Sequence, residues 1–323
     1  MTRPLTAWWI TTGEAGFRTQ ARGLAQAVVP GAVEKTIALK APWSVMPPWP
    51  LILKGLDPKK DVLGPPWPDL VVSCGRKAGK TALAVKAASG GKALAVHVQH
   101  PLADLDKFDL VIPMRHDGAP AAAHVVPIDL ALHDLTPALL AAAADAWRGR
   151  LAGLPRPLTG VLLGGSTKRF PFTIEQARAL AARLKPLRAQ GGLAITPSRR
   201  TPSDVKAVLA AAFRGDSGVY LWDEVGDNPY RGILALSDRI VATGDSVSMV
   251  SEAVATGHPV AVFDLANAQG GGGKRHRRFI ENLVERGIVS RADGSPFTPG
   301  TGLNATPQAI AAVKQLIAER LGI

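Results

Sequence analysis

Apolar residues along the chain come in two rhythms. Short continuous runs stand at 7–12, 32–39, 69–73, 93–98, 109–113 and 124–128. A second series follows at 160–163, 192–196, 219–222, 239–243 and 260–263. Each is too short for a helix and is bounded by glycine, proline or small polar residues, the pattern of strands buried on both faces. Between many of them, apolar residues recur at helical spacing: 18–28, 136–150, 173–187, 203–213, the helix opening at Val247, 274–286 and 307–321. Local chemistry marks the helix starts. Thr136 precedes Pro137, Thr173 has Gln176 three positions on as a capping box, and Ser246 or Ser248 can cap the helix that Gly257 stops. Strands alternating with helices predict the α/β class with parallel sheets.

One stretch interrupts the alternation near its middle. Residues 151–158, L-A-G-L-P-R-P-L, form a short Pro/Gly linker. This predicts two Rossmann-like domains facing each other across a cleft, spanning 1–154 and 158–305. The last helix, 306–323, is a candidate to pack back on the first domain. A second irregular stretch, 41–68, is dense in proline and carries Trp43, Trp49 and Trp67 beside Lys54, Lys59 and Lys60. Proline excludes a long helix there. The stretch reads either as a hydrophobic excursion packed on its own domain or as a segment lying on a membrane surface.

Charge changes the picture more than composition does. The 323 residues carry 38 Lys+Arg against 26 Asp+Glu, a formal charge of +12. Four basic clusters recur: Arg76–Lys77–Lys80, Lys168–Arg169, Arg199–Arg200, and Lys274–Arg275–Arg277–Arg278. The first three follow predicted strands, which in an open α/β sheet is the ligand edge. Aromatic residues make up 5%, and no helix-turn-helix, zinc-finger or RNA-recognition signature is present, so phosphorylated small molecules fit better than nucleic acid. The single cysteine, Cys74, excludes an internal disulfide and a cysteine-based zinc site. No run is long and apolar enough to span a bilayer, and the first residues lack a signal-peptide layout. A cytoplasmic protein is expected, with the inner face of the membrane as a candidate docking surface.

Candidate chemistry collects in the loops that follow strands. Gly13-Glu14-Ala15-Gly16 joins a strand to a helix, with Gly13 and Gly16 able to bring backbone close to a ligand and Glu14 and Gln20 facing a cleft. C-G-R-K-A-G-K-T at 74–81 nearly spells a P-loop, but its first glycine is one residue late, so a P-loop-like ATPase is only a secondary reading. His97, His100, His116 and Asp117 invite a metal site but lack a zinc spacing, so none is expected, while a histidine or aspartate base is open. Gly164-Gly165-Ser166-Thr167-Lys168 offers backbone N–H groups, hydroxyls and a cation to an anion. The stretch 239–264 reads strand, turn, helix, strand. Its helix start suits a phosphate, and Glu252 lies about two turns in.

S-V-S-M-V-S-E-A-V-A-T-G-H-P at 246–259 resembles the nucleotide-sugar motif of GT-B glycosyltransferases, notably the one that adds N-acetylglucosamine to the lipid-linked peptidoglycan precursor. V-L-L-G-G-S resembles the opening of the second domain in that enzyme. With G-E-A-G, V-S-C-G-R, V-H-V-Q-H-P, I-T-P-S-R-R-T-P and W-D-E-V-G-D-N-P-Y, the chain resembles, over nearly its whole length, bacterial relatives of the plant mitochondrial-fission (elongated-mitochondria) family. The resemblance implies a GT-B-like fold and a nucleoside-diphosphate-sugar partner. It implies that Glu252 holds the ribose and that Ser166, Lys168, Ser198, Arg199, Ser246 and Val247 lie near the phosphates. Asp227 and Asn228 would contact sugar or base, and Glu14 or else Asp117 would deprotonate an acceptor that is a saccharide or lipid-linked. The reaction expected is metal-independent, inverting transfer without a cofactor, in envelope polysaccharide or glycolipid synthesis. Plant members are associated with recruiting dynamin-related proteins, so a non-catalytic nucleotide-binding or membrane-docking scaffold is the competing expectation.

Overall fold

The computed structural model describes residues 3–40, 53–57, 61, 63–167, 170–265 and 273–322. They divide into two compact units, Met1–Asp134 with Ala305–Ile323, and Leu135–Asn304. Each is an α/β sandwich around a wholly parallel sheet.

The first unit contains β1 (Ala7–Thr11), α1 (Ala15–Val28), β2 (Val33–Thr36), β3 (Leu70–Cys74), α2 (Arg76–Ala88), β4 (Leu94–Val98) and β5 (Leu110–Ile112). Its sheet order is β2-β1-β3-β4-β5, with Trp8 beside Val71 and Val71 beside Ala95. Every residue of β3 and β4 is buried, which is why both read as continuous apolar runs. The expected strand at 124–128 is reduced to two isolated bridges, Val111 to Val125 and Met114 to Ile128. Most of the 41–68 excursion lies outside the described residues. Of the part described, Leu53, Leu56, Leu63 and Trp67 pack on the core of Ile10, Ile37 and Val71, and Trp67 meets Trp8 edge-on at 6.0 Å.

The second unit runs from α3 (Pro137–Leu151) through β6 (Thr159–Leu163), α4 (Ile174–Gln190), β7 (Leu193–Pro197), α5 (Ser203–Ala212), β8 (Val219–Leu221) and α6 (Tyr230–Leu236). It continues with β9 (Arg239–Thr243), α7 (Val247–Ala255), β10 (Val260–Phe263), α8 (Lys274–Glu285) and β11 (Ser290–Arg291). The sheet order is β11-β10-β9-β6-β7-β8. The first strand of the unit therefore sits centrally, and the order reverses between β6 and β9, as in dinucleotide-binding folds. Thr136 and Thr173 cap α3 and α4, and the Thr173–Gln176 capping box forms in full. The sequence placed α3 in the first domain, but it packs on α6. A Cβ at Gly232 of α6 would lie 2.3 Å from the ring of Trp147 in α3. The helix α6 itself, seven residues long after Asn228-Pro229, was not foreseen.

The chain then returns to the first unit with α9 (Thr306–Leu321), whose Ala309, Val313 and Ile317 are buried. Arg320 reaches Asp109 at 3.5 Å, and the Thr306 hydroxyl accepts from the His133 backbone N–H at 3.3 Å. Among the described residues, no helix is long and apolar enough to cross a membrane.

Candidate functional site

Loops from four strands of the second unit meet at the carboxyl edge where the strand order reverses, and Asp245 ties them together. Its side chain is fully shielded from solvent. One carboxylate oxygen accepts the Gly165 backbone N–H at 2.9 Å, and the other accepts the Thr243 hydroxyl at 2.7 Å. Thr243 in turn accepts the Gly164 N–H at 2.7 Å. Burial pushes the Asp245 carboxyl above its ordinary range, against the pull of these donors and of Arg200. The Arg200 guanidinium stands 4.0 Å from it. The two glycines are required by this close approach: a Cβ at Gly164 would lie 2.1 Å from Asp245, and one at Gly165 2.3 Å from Arg200.

This corrects the expectation for the glycine loop. Its N–H groups do not face a ligand. Gly164 and Gly165 donate to Thr243 and Asp245, Ser166 donates to the Arg200 carbonyl at 3.2 Å, and Thr167 to that of Phe170 at 2.9 Å. The Ser166 hydroxyl accepts the Phe172 N–H at 2.8 Å and so closes the loop on itself. Lys168 lies outside the described residues. Ser198 opens a turn held by Thr201, whose hydroxyl meets Ser198 Oγ at 3.2 Å and donates to the Gly164 carbonyl. Arg199 projects from that turn, exposed. Of the arginine pair, Arg200 is the one that turns to the buried carboxylate.

Beside this knot, α8 begins. His276 Nε2 donates to the Asp245 carbonyl at 3.1 Å, and its ring lies 5.2 Å from that of Phe170. His276, Phe170, Gly244, Asp264, Arg277 and Arg291 line a cleft of about 230 Å³. The basic cluster Lys274–Arg278 thus stands at the same sheet edge as Arg199 and Arg200.

The helix α7 opens directly from Asp245. Ser246 caps it, accepting the Met249 N–H at 3.4 Å; Val247 is its first residue, and Gly257 ends it in a left-handed conformation (φ +81°). Glu252 is half-buried and accepts a hydrogen bond from Tyr230 Oη at 2.5 Å. Tyr230 closes the W-D-E-V-G-D-N-P-Y motif, and its role was missed. Asp227 and Asn228 lie in the loop between β8 and α6. Asp227 is exposed and paired with Arg150 of α3 at 3.4 Å, while the Asn228 side chain caps α6 by accepting the Tyr230 N–H at 2.9 Å. The motif delivers its last residue, Tyr230, to Glu252.

In the first unit the strand order reverses between β1 and β3, and the loops there carry Gly13-Glu14 and Gly75. Gly13 adopts a left-handed turn (φ +98°), and Glu14 is exposed, accepting the Thr12 hydroxyl. Gly16 is within the first turn of α1, not in the loop, because the helix starts three residues earlier than its apolar spacing suggested. Gln20 faces inward, buried, donating to the Gly16 carbonyl at 3.0 Å. Burial pushes the Cys74 thiol far up, with the charges of Glu14 and Asp117 adding to the effect. Asp117 also lies 4.0 Å from His116.

The P-loop reading fails on register. Helix α2 starts at Arg76, so Gly79, Lys80 and Thr81 lie within it; Thr81 bonds back to the Lys77 carbonyl at 3.0 Å, and Lys80 pairs with Asp104. Of the histidines beside the strand ends, His97 is withdrawn by burial. His97 is inside the core against Ser73 at 2.9 Å, held neutral with its pKa lowered to about 3 by burial. No group of metal-holding side chains occurs among the described residues.

Two parallel α/β units, the second with a reversed strand order and a capped helix at the reversal, define a GT-B-like protein. A putative UDP-N-acetylglucosamine 2-epimerase from Listeria monocytogenes has the same fold (TM-score 0.53, 12% identity, 98% of each chain covered). So does MurG from Acinetobacter baumannii (TM-score 0.50, 15% identity, 98% of this chain and 93% of that one), and so does the spinosyn forosaminyltransferase SpnP (TM-score 0.52, 16% identity, 99% and 95%). The chain belongs to the mitochondrial fission ELM1 family, whose description matches residues 15–317. The mitochondrial fission protein ELM1 of Arabidopsis thaliana is 31% identical over 280 residues, 78% of this chain and 65% of that protein. An uncharacterized protein of Rickettsia prowazekii is 32% identical over 169 residues, 51% of this chain and 46% of that one. The chain thus spans less than two thirds of the length of either relative.

Proposed function

We propose that the protein is a metal-independent, inverting glycosyltransferase that takes a nucleoside-diphosphate sugar as donor and serves cell-envelope polysaccharide or glycolipid synthesis. The observation that carries this is the junction at Asp245. It brings the start of α7, the arginine pair at 199–200 and the basic start of α8 to the sheet edge where such folds bind nucleotides, with Glu252 about two helical turns along. The free N–H groups at the α7 start and the cations would stabilise the leaving diphosphate, as a metal does elsewhere. Glu252 would accept hydrogen bonds from the ribose hydroxyls. Arg199 and Ser246 would stand at the phosphates, with Ser166, Ser198 and Val247 shaping the walls. In the first unit, Glu14, exposed and beside no cation among its hydrogen-bond partners, is the base proposed to take the acceptor's proton, with Asp117 as alternative. A lipid-linked acceptor at the inner face of the membrane would give the 41–68 segment a role.

The competing reading is a nucleotide-binding scaffold without turnover, in keeping with the Arabidopsis relative's being named for mitochondrial fission and not for a reaction. The first test is calorimetric titration, without metal, with UDP, GDP, ADP, CMP and their sugar conjugates. One nucleotide should bind selectively, and Glu252→Ala should weaken it by about tenfold or more, the scale of lost hydrogen bonds to a charged group. Absence of binding to every nucleotide would remove both the donor site and the transferase. Binding without transfer to any saccharide or lipid-linked acceptor would leave the scaffold.

A further inference from the structure

The second unit has another opening, at the amino-terminal edge of its sheet. β7 and β8 extend the sheet from β6 in one direction and β10 and β11 from β9 in the other. Right-handed connections therefore put α4 and α5 on one face and α7 and α8 on the opposite one. On the face of α4, Val241 and Ala261 share a core with Leu180 and Leu184, and Ala292 and Phe297 pack against it. Between that irregular segment and α4 lies a groove of about 520 Å³, within the roughly 300–1,000 Å³ of small-molecule sites.

Its floor and walls are apolar, from Leu184, Leu187, Val241, Ala261 and Phe297. Its charged lining is mostly cationic, with Arg183, Arg239 and Arg291. The one lining carboxylate, Asp238, is already engaged by Arg156 and by the Leu158 N–H. Arg239 is the unusual member. It donates from Nε to Thr159 at 2.9 Å and from Nη1 to Gln190 at 3.0 Å, and lies 5.3 Å over the Phe297 ring. Its third nitrogen, Nη2, is shielded from solvent and has no hydrogen-bond partner, and no carboxylate pairs with Arg239 among the described residues. The hydroxyl of Thr298, next to Phe297, is also buried without a partner. A shielded cationic N–H with no acceptor costs free energy that a ligand acceptor would recover.

We propose that this groove binds a small amphipathic carboxylate, its apolar chain on Leu187, Val241, Ala261 and Phe297 and its head accepting from Arg239 Nη2. The groove shares Arg291, which pairs with Asp264, with the cleft at the nucleotide edge, but Arg239 does not line that cleft, and the proposal does not rest on the transferase reading.

The test uses the full chain and the fluorescent fatty acid dansyl-undecanoic acid, competed with decanoate or decylamine. Saturable binding is expected, displaced by decanoate and not by decylamine, and weakened about tenfold or more in Arg239→Gln. Ala182→Trp, on the exposed side of α4 at the rim of the groove, should abolish it and leave nucleotide titration unchanged. Ala182→Trp carries the test alone if Arg239→Gln does not fold. Absence of saturable binding would overturn the proposal, and it would then be water that satisfies Nη2. Equal displacement by decylamine, or full binding to Ala182→Trp, would overturn it as well.

Discussion

Removing the Asp245 carboxylate should unravel the candidate nucleotide edge from within. The side chain holds two donors at 2.9 and 2.7 Å in a site closed to solvent. Asp245→Ala leaves the Gly165 N–H and the Thr243 hydroxyl without an acceptor. A buried group left unsatisfied costs about 1–3 kcal/mol, so the pair costs roughly 2–6 kcal/mol. Relief of charge burial offsets part of this, giving a net loss of about 3 kcal/mol. Asp245→Asn keeps an oxygen for Gly165, and its amide can donate to Thr243. Only the Thr243 hydroxyl hydrogen is then orphaned, a loss of about 1 kcal/mol. The pH dependence has a definite sign. Burial raises the folded-state pKa of Asp245 above its unfolded value. The stabilisation linked to this group is therefore complete below the ordinary carboxylate range and is lost as pH rises through the raised folded value. The asparagine variant has no such titration, so its deficit against the natural protein should shrink as pH rises. Urea unfolding across the range from pH 4 to neutrality measures both effects. An alanine variant within about 1 kcal/mol of the natural protein, or an asparagine deficit that grows with pH, would refute the reasoning.

Two further outcomes follow from contacts described above. Tyr230→Phe removes the hydrogen bond that orients Glu252, and should weaken binding of the preferred nucleotide about threefold to tenfold while reducing its advantage over the 2′-deoxy form, read by paired calorimetric titrations. Lys80→Ala should cost about 1 kcal/mol in thermal unfolding, since its pair with Asp104 is only partly buried, and should leave nucleotide affinity unchanged; a loss of affinity would revive the P-loop.

What the sequence disclosed and what it hid divide along the range of the interactions. The helix α7 was legible because its cap, its apolar positions and its terminating glycine are all local signals within Ser246–Gly257. The Thr173–Gln176 box was legible for the same reason. Asp245 sits unremarked in the turn of the 239–264 stretch, since its partner Gly165 stands eighty positions away in the chain and no local pattern announces such a bond. The glycine loop misled for the same reason: its missing side chains admit a carboxylate and an arginine backbone rather than freeing N–H groups. Lys80 misled because the P-loop string says nothing about where the helix begins. Tyr230 was hidden within a motif whose acidic and amide residues drew the attention, and α6 was too short to show a period.

The return of α9 to the first unit carries a consequence for the order of events during synthesis. The ribosome must deliver all of Leu135–Asn304 before Ala309, Val313 and Ile317 exist to close the surface against which α9 packs. The second unit can complete itself while the chain is still being made, whereas the first waits, with apolar surface open, for α9 to emerge. Chains that stall or are clipped near residue 305 should therefore fail in their oldest part, and proteolysis of such nascent products should begin before Asp134.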